Sequence, residues 1–174
     1  AIAFIHSYLN SSHESRVAEI AREVGYTQIS TSSGTSRLIK LVSRGDTTVV
    51  DAYLSPILRR YINQVSEELK SSKSTKLMFM QSNGGLTDAN LFQGKDALLS
   101  GPAGGVVSMV QTGMQAGHNK LIGFDMGGTS TDVALIQNSR AKVRRETLVG
   151  DVRVKAPSVD VRTVGAGGGS IAFV

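Results

Sequence analysis

Residues 120–133 read Lys-Leu-Ile-Gly-Phe-Asp-Met-Gly-Gly-Thr-Ser-Thr-Asp-Val: an apolar run delivers an acid into two glycines, three consecutive hydroxyl residues and a second acid. Lys120 to Asp125 has the length and apolarity of a strand, and Gly127-Gly128 end it in a tight loop. Lacking side chains, Gly127 and Gly128 let backbone N–H groups approach phosphate oxygens closely, and the hydroxyls of Thr129, Ser130 and Thr131 can donate further hydrogen bonds. Asp125 and Asp132 would repel a phosphate unless a cation lay between them. The pattern therefore implies Mg2+, held at Asp125 directly or through water, or a role for both acids in orienting an attacking group. A β-hairpin whose Gly-Gly turn merely reverses the chain would use the same glycines, but it does not need acids on both sides of them.

The rest of the sequence limits what such a loop can belong to. With 174 residues, 40% apolar and 19% charged, the chain is long enough for one domain with its own core. No internal repeat or low-complexity linker divides residues 1–174. The absence of cysteine excludes disulfides and thiolate metal sites, leaving oxygen and imidazole ligands. The net charge of +5 is spread over Arg59-Arg60, Lys70, Lys73, Lys76 and Arg144-Arg145 rather than gathered into a stripe, so no nucleic-acid partner is expected. No stretch approaches the roughly 20 apolar residues that span a membrane, and a soluble, cytoplasmic protein is the expectation. The chain opens at Ala1–Ile5 without methionine and stops at Ile171–Val174, both apolar, so it reads as a piece cut at both ends from a longer protein.

Along the chain, residues 1–5 read as a short buried strand, and Val17, Ile20, Ala21 and Val24 recur at helical spacing between His13 and Gly25. Residues 28–32 and 37–42 look like strand pieces. A long helix is expected from about Thr47 to Leu69, with Pro56 beginning or kinking part of it. Residues 76–80 suit a central strand, Ser82–Gly85 a tight loop, and Val106–Ala116 a helix. Val133–Ile136, Ala141–Thr147 and Val152–Val154 continue as strands, the first two a candidate hairpin around Asn138-Ser139. Strands and helices alternate first and strands cluster later, which gives an α/β class with a mixed sheet.

Two further glycine segments are candidates for the same chemistry. Gly101-Pro102-Ala103-Gly104-Gly105 can close over phosphate or adenosine at the N-terminus of the following helix, whose free N–H groups favour anions; equally, it can be a helix start with Pro102 in the first turn. Gly165 to Ser170, with Gly167, Gly168 and Gly169 at its centre, permits close backbone approach to a ligand or serves as a hinge. His6, His13 and Glu14 have the wrong spacing for one helix face, so His6 reads as a core histidine and His13-Glu14 as a helix start. Asp51, inside an apolar helical stretch, is either solvated or a buried acid that needs a partner.

The segment from Phe124 to Val133 resembles a phosphate loop of the acetate kinase, sugar kinase, Hsp70 and actin superfamily. More narrowly, it is similar to hydantoinase A and 5-oxoprolinase. Met80–Leu86, Leu99–Val107 and Thr163–Ser170 match that family in the same order, as do Phe4–Tyr8 with His13-Glu14 and Asp51–Leu54 with Pro56. Ser108 stands where the family usually has glycine, and Gly165 is nearer the bacterial hydantoinase pattern than the eukaryotic 5-oxoprolinase one. The resemblance implies an actin-like, ribonuclease H-like lobe of a two-lobed ATPase, here with the second of two phosphate loops. It also implies ATP and Mg2+ as cofactors and a small cyclic amide as substrate. Two partners are implied, a missing N-terminal lobe and a hydantoinase B-type subunit or fused domain; the related acetone or acetophenone carboxylases share these motifs. In the site it implies, Asp125 and Asp132 act in catalysis, while Gly127, Gly128, Thr129, Ser130 and Thr131, together with Gly101, Gly104, Gly105, Gly167, Gly168 and Gly169, hold the nucleotide.

Overall fold

In the structure, a computed structural model that describes residues 1–69, 76–171 and 173, the elements run α1 (Ser12–Val24), α2 (Ser32–Thr35), α3 (Leu41–Glu68), β1 (Met78–Met80), β2 (Leu86–Asp88), α4 (Ser100–Gln115), β3 (Lys120–Met126), β4 (Thr131–Gln137), β5 (Arg140–Ala141), β6 (Val143–Arg144), β7 (Thr147–Val149), β8 (Val152–Val154), β9 (Ser158–Val159) and β10 (Val161–Val164). Their contacts divide the chain into two units. One gathers Ala1–Phe79, Leu86–Leu98 and Arg145–Ala156, the other Met80–Gly85, Leu99–Arg144 and Pro157–Val174. Lys70, Lys73, Ala172 and Val174, which figured in the sequence reading, lie outside the described residues.

The first unit is built around buried polar side chains. Glu14 on α1 is fully buried and accepts hydrogen bonds from the Phe4 backbone N at 2.9 Å, Ser32 Oγ at 2.6 Å and the Ser33 backbone N at 2.8 Å. Arg44 on α3, also fully buried, donates to Ser32 Oγ at 2.8 Å and to the carbonyls of Leu38, Ile39, Phe4 and Ile5. These two charges take up backbone groups that a sheet would need, and so overturn two strand expectations. Residues 1–5 keep one parallel bridge, Ile2 to Thr31, and residues 37–42 run irregularly into α3, which starts at Leu41 instead of Thr47. The expected strand at 28–32 reduces to the same bridge, because Ser32 already begins α2. Pro56 lies inside α3 and does not begin it. His6 is exposed in the turn after Phe4, not in the core.

The apolar core of this unit is small: Ile62, Ala89 and Phe92, with Leu58, Leu77, Phe79 and Ala97 against them. Phe79 and Phe92 stack at 5.4 Å between ring centroids, a separation at which aromatic pairs attract beyond their area. The β7–β8 hairpin packs on α3, where the Lys155 backbone N donates to Thr47 Oγ1 at 2.9 Å.

The second unit is α4 laid on an antiparallel sheet of order β10-β4-β3, with β5 also pairing with β4. Asn138 and Ser139 carry the β4–β5 turn with φ of 52° and 57°, the two positive values that a tight two-residue hairpin of primed type demands. Ala103 and Val106 of α4 meet Ala134 of β4 and Val159 of β9 in the core. At Gly123 of β3, an added Cβ would overlap the Met109 thioether of α4, so the glycine makes room for that side chain between helix and sheet. α4 begins at Ser100, six residues before the expected Val106, and the glycine-rich segment 101–105 forms its first turns. The expected strand at 141–147 breaks into β5, β6 and β7.

Candidate functional site

The antiparallel register of β3 and β4 sets Asp125 directly opposite Asp132, and Met126 opposite Thr131. The four residues between the strands close on themselves through a hydrogen bond from the Gly127 backbone N to the Ser130 carbonyl, 2.9 Å. Locally this is a β-hairpin. What separates it from an ordinary turn is the pair of carboxylates at its neck and the second loop packed against it.

That second loop is Gly165–Ser170, which follows β10. The Gly168 backbone N donates to the Gly127 carbonyl at 2.9 Å, and Thr131 Oγ1 donates to the Ala166 carbonyl at 2.6 Å. A Cβ on Gly167 would stand 2.5 Å from the carbonyl carbon and oxygen of Gly128 and 2.6 Å from the Thr129 backbone N. Only glycine fits there, since backbone on both sides leaves nothing to yield. Ser170 closes this loop, its Oγ accepting from the Gly167 N at 3.0 Å.

The site residues read from the sequence therefore take different positions. Gly127, Gly128 and Thr129 are exposed and Ser130 is half-buried; the Gly127 N–H is taken up by the Ser130 carbonyl, which leaves the Gly128 and Thr129 backbone and the Thr129 and Ser130 hydroxyls at the surface of the turn. Thr131 is only 2% exposed and its hydroxyl is committed to Ala166. Gly167 is buried against the hairpin, whereas Gly168 and Gly169 are exposed. On α4, a Cβ at Gly105 would lie 3.4 Å from Asp125 Oδ2, which brings the second turn of the helix beside the carboxylate. Gly101 and Gly104 face open space. Leu99, at the start of α4, has no side-chain cap, so the helix offers uncapped N–H groups at that end.

The sequence reading missed Thr163, whose Oγ1 donates to Asp132 Oδ1 at 2.6 Å because β10 pairs with β4 in a register that sets Thr163 opposite Asp132. Recognising 161–164 as a strand with alternating faces would have found it; the glycines that follow drew attention away. Chemically, two carboxylates beside outward N–H and hydroxyl groups suit a ligand that combines anion with divalent cation. Among the described residues no group of three or more His, Cys, Asp and Glu side chains gathers to hold a metal, so the hairpin offers two carboxylates and no third such ligand.

A family model described as hydantoinase/oxoprolinase matches residues 44–174. The 5-oxoprolinase of Saccharomyces cerevisiae is 45% identical over 172 residues, covering 98% of this chain and 13% of that protein. Among solved structures, ATP-dependent caprolactamase from Pseudomonas jessenii superposes with a TM-score of 0.82 at 34% identity, covering all of this chain and 26% of that one. A nucleotide-free acetone carboxylase gives 0.84 at 27% identity, over 97% of this chain and 24% of that one. The chain thus spans about one eighth of the yeast 5-oxoprolinase.

Proposed function

The chain belongs to the hydantoinase/oxoprolinase family, and we propose that it supplies one phosphate loop of a longer ATP-dependent enzyme that opens cyclic amides. The observation that carries this reading is the hairpin at 125–132, with Asp125 facing Asp132 and a glycine loop locked against its back. The 45% identity to a 5-oxoprolinase supports the amide over other acceptors.

Resonance makes an amide carbon a poor electrophile. Transfer of the terminal phosphoryl group of ATP to the amide oxygen turns that oxygen into a leaving group. Water then adds to the carbon, the tetrahedral adduct collapses with cleavage of the ring C–N bond as the nitrogen takes a proton, and a second water hydrolyses the resulting acyl phosphate to release phosphate and the open-chain acid. In this scheme Gly127 shapes the turn through its bond to the Ser130 carbonyl, Gly128, Thr129 and Ser130 hold phosphate oxygens through N–H and O–H donors, and Thr163 keeps Asp132 oriented. Two carboxylates without further protein ligands fit Mg2+, which is commonly held by one or two carboxylates plus substrate phosphates. Mg2+ at Asp125 would offset the phosphate charge. Gly101, Gly104 and the start of α4 favour the same anion, and Gly168 and Gly169 border it. A facing lobe outside residues 1–174 completes the nucleotide site, residues 1–174 act as one hydantoinase A-type domain, and a hydantoinase B-type subunit or fused domain takes part in the turnover. No helix among the described residues is long and apolar enough to cross a membrane, which suits a cytoplasmic enzyme.

The test is phosphate release from Mg-ATP by the full-length protein with 5-oxoproline, with hydantoin and with no substrate, comparing wild type and Asp125→Asn. Release stimulated by one cyclic amide and reduced at least about 100-fold in the variant, a loss in the range for a charge-handling group, is the expected result. Release indifferent to Asp125, or to every cyclic amide, would refute it. The superposition on acetone carboxylase keeps ketone carboxylation as the second reading, recognised by release that depends on acetone and bicarbonate.

A further inference from the structure

On α3, Asp51, Ser55 and Arg59 follow one another at intervals of four residues and so share a helix face. That face forms one wall of a cleft of about 270 Å3, open to solvent and lined on its other sides by Gln28–Thr31, Gly34-Thr35 and Gln93. All of these residues belong to the first unit. The lining is almost wholly polar, and Ser30, Thr35, Asp51 and Ser55 are each more than nine-tenths buried.

Asp51 is the informative member. It is 4% exposed, and its carboxylate accepts from Ser30 Oγ at 2.7 Å and from the Lys95 backbone N at 3.1 Å. Among the described residues it makes no ion pair; the Lys95 ammonium is bound to Asp96 instead. Buried carboxylates are ordinarily paired with a cation or fully hydrogen-bonded, and each oxygen of Asp51 has acceptor capacity left. The guanidinium in the same cleft, Arg59, is two helical turns away, a rise of about 12 Å. It donates to the Ala89 and Asn90 carbonyls at 3.3 and 3.2 Å, using two of its five N–H groups. An acid and a base in one cleft, too far apart to satisfy each other, leave room for a molecule that bridges them.

We propose that this cleft binds a molecule of amino-acid size that carries an N–H donor and a carboxylate, the N–H directed to Asp51 and the carboxylate to Arg59, with the Gln28, Ser55 and Gln93 side chains between them. The assignment requires nothing of the phosphate loop. The volume holds a small ring or a short chain and is too small for a nucleotide, and the scarcity of apolar lining excludes a hydrophobic ligand.

Three probes of similar size separate the two contacts: 5-oxo-L-proline has both groups, 2-pyrrolidinone only the N–H, and cyclopentanecarboxylate only the carboxylate. Binding of each is measured by titration calorimetry on the full-length protein, as wild type, Asp51→Asn and Arg59→Met. The expected pattern is a double dissociation. Arg59→Met weakens 5-oxo-L-proline and cyclopentanecarboxylate by ~10-fold or more and leaves 2-pyrrolidinone unchanged, while Asp51→Asn weakens 5-oxo-L-proline and 2-pyrrolidinone and spares cyclopentanecarboxylate. Loss of fold would weaken all three together, and Arg59, being exposed, tests the idea without disturbing the interior. No binding of 5-oxo-L-proline to wild type, or binding that neither substitution alters, would overturn the proposal. Phosphate release indifferent to Asp125 would refute the phosphate-loop reading and leave this binding pattern standing, so the two fail separately.

Discussion

Glu14 shows how much of this chain is decided by single side chains. Burial alone would raise its pKa, but the hydrogen bonds from Ser32, Ser33 and Phe4 outweigh that and lower it from its ordinary 4.5 to about 2. A carboxylate whose folded pKa is depressed stabilises the fold above its unfolded pKa, and that contribution disappears as pH falls through the folded value. The chain should therefore lose stability between about pH 4.5 and pH 2, and denaturant melts of Glu14→Gln should show a flatter acid limb and a loss of about 1–3 kcal/mol at neutral pH. Thr131→Val is a milder case. It removes one buried donor and leaves the Ala166 carbonyl unpaired, at about 1–2 kcal/mol in the same assay. Neither role was legible from composition or spacing. Glu14 reads as a helix-start residue and Thr131 as a phosphate ligand, because their partners lie 18 and 35 residues away in sequence. Asp51 was legible as far as its need for a partner, since an acid inside an apolar helical stretch has only that or solvent.

Among the elements, those with a strong period and clear punctuation were read correctly, and those held by side-chain capture were not. β3, β4 and the Asn138-Ser139 turn follow from apolar runs and turn chemistry. So does α1, yet its buried face carries Glu14 and Ala18 while the periodic Val17, Ile20 and Val24 are exposed. α3 hides its start because its buried stripe is Arg44, Thr47, Thr48, Asp51 and Ser55, which hydrophobic periodicity cannot detect. The two close glycine contacts make opposite predictions. At Gly123 the obstacle is the end of the flexible Met109 side chain, so Gly123→Ala should cost about 1 kcal/mol and leave hydrogen exchange in the 127–130 loop unchanged. At Gly167 the obstacle is backbone, so Gly167→Ala should cost about 3 kcal/mol, the upper part of the overpacking range, and speed exchange across 127–130. Equal effects at both sites would contradict the packing described for the two loops.

At the scale of the whole molecule, the β3–β4 pair has a face that carries Ile122, Phe124 and Leu135, with Ile122 73% and Phe124 61% exposed, on the side away from α4. Adjacent apolar residues at such exposure form a patch of the kind that soluble monomers rarely leave open. The isolated chain should accordingly bind the dye ANS and scatter light at high concentration, and Ile122→Thr with Phe124→Ser should reduce both without lowering the melting temperature.

Each of the two units is stitched from three separate segments, and the segments interleave: the last piece of the first unit, Arg145–Ala156, is made after most of the second has been completed. On the ribosome, neither unit can finish folding before the other is nearly synthesised. A stop codon anywhere between residues 80 and 144 removes β7 and β8 from the first unit and β10 from the second at once. For a nascent chain this means a long wait with half-built surfaces in the open, and for a cell it means that truncated copies are recognisable as damaged from either end.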